Sequence, residues 1–215
     1  MNVVDLTLPL APRASAVEGD PPVMLTRVVS HDQAGYQVTA ICLGSHSGTH
    51  MDAPRHFFPE GATLDSYPAD RLVRPGWVVD VRPAGATPGS VVEAAAGSTG
   101  GGAAPRIEAG LLAERLKDAH LEPGDFLLLW TGGALLADDA APLLLHSGAG
   151  LVGTDAPSLD DPPYPAHHLV LGAGLLFAEN LTNLDKLGPG RVMCAFLPLS
   201  LPEADGAPMR AVAWR

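Results

Sequence analysis

The sequence predicts a mixed α/β protein, a single domain over residues 1–215 built on a compact sheet or barrel. Three observations predict it. Short β-rich and apolar runs recur along the whole chain, about eight to ten of them against two or three helical segments. The 24 glycines and 21 prolines are spread between those runs, so they read as turns that keep strands short rather than as disorder. Residues 126–130, FLLLW, form the continuous apolar run of a strand covered on both faces. At 215 residues the chain can bury a substantial core, and no repeat divides it.

Residues 3–10 alternate as a strand, with Leu6, Leu8 and Leu10 on one side. Residues 18–22 are a turn-rich loop. The β-rich runs 23–30 and 36–43 are separated by residues 31–35, which predicts a hairpin or two neighbouring strands, with His31 an exposed turn histidine. The second run delivers the chain to His46. Residues 57–68 read as loop, and 77–81, after Pro75-Gly76, as a short buried strand. Residues 91–105 contain EAAAGSTGGGAAP, whose consecutive glycines predict a mobile surface loop rather than a domain boundary. Residues 107–120 give the clearest helix. Ile107, Leu111, Leu112 and Leu116 form one apolar stripe, and Glu108 sits in the first turn, where a negative charge is favoured. After the FLLLW strand, residues 143–145 form a short segment whose neighbour His146 is not expected to be a ligand. Residues 150–154, 175–178, 191–199 and 209–214 predict strands, and 164–171 a short helix.

Charge narrows the partners. Thirteen basic residues against 24 acidic ones give a net charge of −11, which disfavours nucleic acid and anionic membranes as partners. No run of about 18 apolar residues marks a membrane span, and the N-terminal residues lack the basic and apolar regions of a signal peptide. Cys42 and Cys194 lie in the apolar runs TAICLG and VMCAFL, and read as two buried, unpaired thiols in a reducing compartment. The expected location is cytoplasmic.

The densest chemistry lies in residues 44–56, GSHSGTHMDAPRH, where His46, His50, Asp52 and His56 fall within eleven residues. Imidazole and carboxylate together suit zinc, manganese or iron(II). On a continuous strand all four would share a face, but His46 and His56 would lie roughly 33 Å apart. A continuous helix would have to absorb Gly48 and Pro54. The spacing instead predicts a strand ending near His46 and a turn at residues 47–49 that brings His50 and Asp52 back toward it. A second polar group follows later. Asp155 and Asp160 flank a short loop, and His167, His168 and Glu179 come next, with His167 and Glu179 twelve residues apart across a helix-to-strand turn at 172–174. This group is the natural complement of the first.

The stretch HSGTHMDAPRH resembles the HxGTHxDxPxH signature of the metal-dependent cyclase and kynurenine formamidase family. The resemblance spans nearly the whole chain. It takes in Asp5-Leu6-Thr7, Gly19-Asp20-Pro21-Pro22, Thr131-Gly132, residues 153–160, Glu179-Asn180-Leu181, Leu197-Pro198-Leu199 and Asp205-Gly206-Ala207-Pro208-Met209-Arg210-Ala211, in the expected order. It implies a swivelling β/β/α cyclase-like fold and a homodimer or higher homo-oligomer. It also implies Zn2+, with two ions possible, or Mn2+. On this resemblance one ion is held by His46, His50, Asp52 and Glu179, and the other by Asp52, His167 and Glu179. His56 is then the catalytic acid/base, and His168 a packed or supporting residue.

The activity implied is hydrolysis of an arylformamide similar to N-formylkynurenine, giving formate and an aryl amine. One departure bears on substrate. Kynurenine formamidases resemble one another in a tryptophan before Pro-Gly-Asp that contacts the aromatic part of the substrate. Here the matching stretch is Val17-Glu18-Gly19-Asp20, so Val17 takes the substrate-binding position without a ring to stack. The alternatives are another hydrolase of the superfamily acting on a cyclic amide, as isatin hydrolase does, or a secondary-metabolite cyclase. A non-catalytic metal-binding protein is the remaining class, and the spare His56 argues against it, because a structural site needs no extra histidine.

Overall fold

The structure, a computed structural model, describes residues 2–11, 20–84 and 105–215. Val17 and nearly all of the glycine-rich stretch 91–105 lie outside the described residues. Within them the chain runs β1 (Val3–Asp5), β2 (Met24–Val29), α1 (His31–Ala34), β3 (Val38–Cys42), β4 (His50–Asp52), β5 (Val73–Asp80), β6 (Arg106–Ile107), α2 (Ala109–Leu116), β7 (Phe126–Trp130), β8 (Leu135–Leu136), α3 (Ala141–His146), β9 (Leu151–Thr154), α4 (Pro165–Gly172), β10 (Leu176–Glu179), α5 (Leu184–Leu187), β11 (Gly190–Pro198) and β12 (Gly206–Trp214).

Strands β12, β11, β5, β7, β9, β10 and β4 pair in that order, and β4 pairs back onto β12, closing a seven-stranded ring. The fold class is therefore the mixed α/β barrel-like sheet that the sequence predicts. The run β5-β7-β9-β10 is parallel, and the remaining ring pairs are antiparallel. Parallel neighbours need crossovers, and these carry α2, α3 and α4. Each helix follows its strand and returns the chain for the next one.

Side-chain alternation sorts the apolar residues into two cores. Met51, Val78, Phe126, Leu128, Leu151, Leu176, Ala178, Phe196 and Ala207 belong to one cluster to which every ring strand contributes, so it fills the barrel. Val79, Leu127, Leu129, Val152 and Phe177 point the other way, into a second cluster with Leu112, Leu144 and Val170 of the helices. The FLLLW strand is thus covered on both faces, as its composition predicts. At about 25 cal/mol per Å2 of apolar surface, these two buried layers are the main favourable term in folding.

Several boundaries differ from expectation. The strand expected at 77–81 begins at Val73 and runs through Pro75, which pairs with Met193. The helix expected over 107–120 forms only at Ala109–Leu116; Ile107 belongs instead to the short β6–β8 pair and is fully buried there. The first strand stops at Asp5, after which Thr7 makes a single bridge to Leu181. The predicted hairpin is present as β2 and β3, with the one-turn helix α1 between them and His31 exposed. Among the described residues it pairs with no other strand, and Met24, Leu25, Val28, Val38 and Ile41 are exposed on it. Cys42 corrects the reading of two buried thiols: it sits on this hairpin and is exposed, whereas Cys194 is buried; both are free. Among the described residues no helix is long and apolar enough to cross a membrane.

Candidate metal centre

Strand β4 sets the site. Met51 points into the barrel, so His50 and Asp52 on either side of it face outward. The register places Glu179 of β10 opposite His50, and Gly206 of β12 opposite Asp52. Directly opposed residues share a face, so Glu179 joins the pair. His167 comes down from α4, with its ring centroid 4.9 Å from that of Phe177 on the same face.

His46 arrives from the turn ahead of β4. The strand before it ends at Cys42, earlier than expected, and the turn occupies residues 45–49. Gly48 takes φ 64°, and a Cβ there would lie 2.6 Å from Leu10 Cδ2, so both conformation and space call for glycine. Thr49 locks the turn: its hydroxyl accepts the Leu8 N–H at 2.7 Å and donates to the Asn180 carbonyl at 2.6 Å. The small and hydroxylated residues of the motif thereby hold His46 and His50 against the end of β10.

The five expected ligand residues converge. His46 Nδ1 lies 2.7 Å from Asp52 Oδ1. His50 Nε2 lies 3.3 Å from Asp52 Oδ1 and 3.4 Å from Glu179 Oε2. His167 Nε2 lies 3.2 Å from Glu179 Oε1 and 3.9 Å from Asp52 Oδ2. One donor atom each from His46, His50 and Asp52 falls within 4.8 Å of the others, and the same holds for Asp52, His167 and Glu179. Asp52 belongs to both groups. Mixed imidazole and carboxylate donors at this spacing could hold one or two divalent cations, so the residues present fit a metal.

The far nitrogen of each ring is occupied. His50 Nδ1 faces the Gly48 carbonyl at 2.8 Å, His167 Nδ1 faces Asp160 Oδ1 at 2.5 Å, and His46 Nε2 faces Asp205 Oδ2 at 2.9 Å. Asp160 also accepts the Ala166 N–H at 2.6 Å, which ties it to the start of α4. One nitrogen of every ring is thus left directed at Asp52 and Glu179.

His56 stands beside this group on the 3-10 turn Pro54–His56, where Pro54 pre-sets the backbone directly after β4. Its ring centroid is 3.9 Å from that of His46, and its Nδ1 is 3.6 Å from Asp205 Oδ2. It is the exposed histidine of the cluster, while His50, Asp52, His167 and Glu179 are buried. Phe57 follows it, stacked at 5.1 Å on His167 and edge-on at 5.7 Å to Tyr164. The expected roles of other residues separate clearly. Asp155 joins none of these groups and instead accepts the N–H and hydroxyl of Thr131 and the N–H of Gly132. His168 is exposed and meets Phe57 edge-on at 4.9 Å. His146 is turned to the Pro142 carbonyl of its own helix. Sequence reasoning gave no role to Asp160, Asp205 or Phe57. The available signal was the acid beside each loop landmark and the aromatic directly after the motif.

The electrostatics follow from burying acids beside imidazoles. Burial opposes the charged form of His46, but its hydrogen bonds to Asp205 and Asp52 outweigh that and raise its pKa to about 9. Burial likewise opposes charge on His167, and Asp160 and Glu179 overcome it, raising the pKa to about 10. His50 is raised in the same way by Asp52 and Glu179. Burial pushes Asp52 and Glu179 up, yet the imidazolium neighbours bring both below their usual range. His56 differs: burial dominates and lowers its pKa despite the opposing pull of Asp52.

These shifts set a pH dependence. In the metal-free protein the raised histidines add stability that is complete below pH 6.5 and is lost as pH climbs through about 9 to 10. The depressed carboxylates add stability that is lost on acidification below about pH 4. A cation must displace the protons on His46, His50 and His167, so its affinity should rise with pH from 6 to 9, about tenfold per unit for each proton released. Calorimetry in buffers of different ionisation enthalpy should show net proton release at pH 7. A pH-independent affinity with no proton release would exclude this charge arrangement.

Known proteins share this fold. The model of a family described as "Putative cyclase" matches residues 4–161. A kynurenine formamidase of Salinibacter ruber is 33% identical over 218 residues, covering 99% of this chain and 97% of that protein. One of Bacillus cereus is 30% identical, covering 97% and 95%. Among solved structures, a potential metal-dependent hydrolase with cyclase activity superposes with a TM-score of 0.74 at 25% identity, covering 99% and 96%. Isatin hydrolase A from Labrenzia aggregata superposes with a TM-score of 0.79 at 23% identity, covering 99% and 93%, which is a likeness of fold. The chain belongs to the cyclase family, within which its curated relatives of near-equal length are kynurenine formamidases.

Proposed function

We propose that the protein is a metal-dependent amide hydrolase that cleaves arylformamides of the N-formylkynurenine type to formate and an aryl amine. The observation that carries this reading is the convergence of His46, His50, Asp52, His167 and Glu179 beside an exposed His56. The names of the relatives supply the substrate class. We assign His46, His50, Asp52 and Glu179 to one cation position and Asp52, His167 and Glu179 to the other, with zinc or manganese as the native metal. A divalent cation there would polarise the formyl carbonyl and acidify the attacking water toward about pH 7.

The remaining chemistry belongs to the chain. His56 takes a proton from the water as its oxygen adds to the formyl carbon. It then returns a proton to the aryl nitrogen as the C–N bond breaks. The water oxygen ends in formate, and a hydrogen ends on the amine. Phe57 and Tyr164 present rings on the side of the cluster where His56 is exposed, a surface suited to an arene. A cyclic amide fused to an arene would meet the same groups, and opening it is the second reading, favoured by the likeness to isatin hydrolase.

The β2–β3 hairpin supports a homodimer. A two-stranded ribbon is marginal by itself, and this one leaves Met24, Leu25, Val28, Val38 and Ile41 exposed. Light scattering should give a mass of twice 22.2 kDa or more, and Ile41→Asp should lower it; a monomeric wild type refutes the assembly. The acidic surface and free thiols fit a cytoplasmic enzyme without nucleic-acid or membrane partners.

Two further outcomes test the reading. His56→Ala should keep the wild-type metal content while turnover falls about 10²- to 10⁴-fold, the usual size of a lost acid/base. Elemental analysis showing metal lost in step with activity would make His56 a ligand instead. A turnover screen of N-formylkynurenine against cyclic amides tests the substrate. A missing aromatic stack costs about 0.5–1.5 kcal/mol, so Val17 should weaken N-formylkynurenine binding roughly three- to twelve-fold, and Val17→Trp should recover it. No formamide turnover alongside rapid ring opening would replace the formamidase reading with the cyclic-amide one.

A further inference from the structure

Asp205 lies outside both proposed cation positions, yet the fold holds it against them. It precedes Gly206, the first residue of β12, and its carbonyl accepts the N–H of Ala53 at 2.8 Å. That hydrogen bond fixes it to the residue between Asp52 and the turn that carries His56. Gly206 clears the space beside it, since a Cβ there would stand 2.8 Å from both His46 Cε1 and the Met51 carbonyl. The His46 ring therefore rests on the backbone of β12. The Asp205 carboxylate reaches over its edge to Nε2 at 2.9 Å, with the Ser45 hydroxyl 3.4 Å from the same oxygen.

The pattern repeats on the other two rings. His50 is capped by a peptide carbonyl and His167 by the buried Asp160, and in both cases the free nitrogen is Nε2. On His46 the order is reversed: Nε2 is capped, and Nδ1 faces Asp52. A carboxylate that accepts the outer N–H of a metal-binding imidazole fixes its tautomer and orientation and strengthens its lone pair.

We propose that Asp205 is a positioning residue for the cation site: it accepts the Nε2–H of His46, so that His46 binds the cation through Nδ1. The same oxygen lies 3.6 Å from His56 Nδ1, so its negative charge also faces that ring. The inference rests on the metal-site reading above. It competes with a different placement, because His46, His56 and Asp205 themselves have donor atoms within 4.8 Å of one another. A cation seated there would take Nε2 of His46 instead.

Wild-type protein loaded with Zn2+ and labelled with 15N in histidine separates the two placements. The inference expects the His46 signals of a protonated Nε2 and a metal-bound Nδ1; a metal-bound Nε2 overturns it. Chelator competition adds a second measurement. Asp205→Ala should weaken Zn2+ binding about 10- to 100-fold, and Asp205→Asn, which keeps an oxygen for the Nε2–H, should weaken it less. Circular dichroism of the metal-free variants checks that they fold. Asp52→Ala is the control for the site itself. If Asp52→Ala loses Zn2+ while Asp205→Ala binds within twofold of wild type, the role of Asp205 is refuted and the metal site stands. If Asp52→Ala also binds like wild type, both fall.

Discussion

Two carboxylates, Asp52 and Glu179, are buried side by side on adjacent strands, and the site is organised to make that tolerable. Buried like charges cannot both stay ionised without positive charge close by. The chain surrounds them with His46, His50 and His167, whose raised pKa values show that the pair attracts protons when no cation neutralises it. A divalent cation would do the same work with better geometry and would release those protons. Stability and metal affinity are therefore coupled through one cluster, and pH trades one against the other.

The closure of the barrel is what creates that cluster. His50 and Asp52 lie two apart on β4, which any strand would place on one face. Only the pairing of β4 with both β10 and β12 adds Glu179 on one side and the Asp205-Gly206 corner on the other. The parallel half of the ring then lays α4 over the same face and supplies His167. Because Met51 and Ala178 pack the barrel interior directly beneath, His50, Asp52 and Glu179 stand on packed strands rather than on a loop.

Much of this was legible in the sequence, and the reasons are local. The imidazole and carboxylate types in GSHSGTHMDAPRH, with a Gly-Thr turn between them, admit few arrangements other than a shared site. FLLLW could only be a strand covered on both faces. The second group, His167 and Glu179, was legible as chemistry, but its meeting with the first required the β10–β4 register, which periodicity does not encode. Asp205 escaped because a lone acid 159 positions from its histidine partner has no spacing signal. Asp160 escaped because its role is to support a ring, not to form a site itself. Cys42 was misread because an apolar, β-rich run implies burial only when something covers the strand, and the β2–β3 ribbon stands apart from the sheet. Pro75 hid the start of β5, since proline is disfavoured in strands and the register here tolerates it.

The burial gradient across the site divides its tasks. His50, Asp52, His167 and Glu179 are shut away in the protein. His46, Asp205 and His56 form the more exposed edge of the cluster, with Phe57 and Tyr164 beside it. That edge is assembled from separate segments: the turn before β4, the turn after it, the approach to β12 and the start of α4. Such an edge can vary in sequence while the buried strands stay fixed, the usual way in which one fold comes to carry different sites.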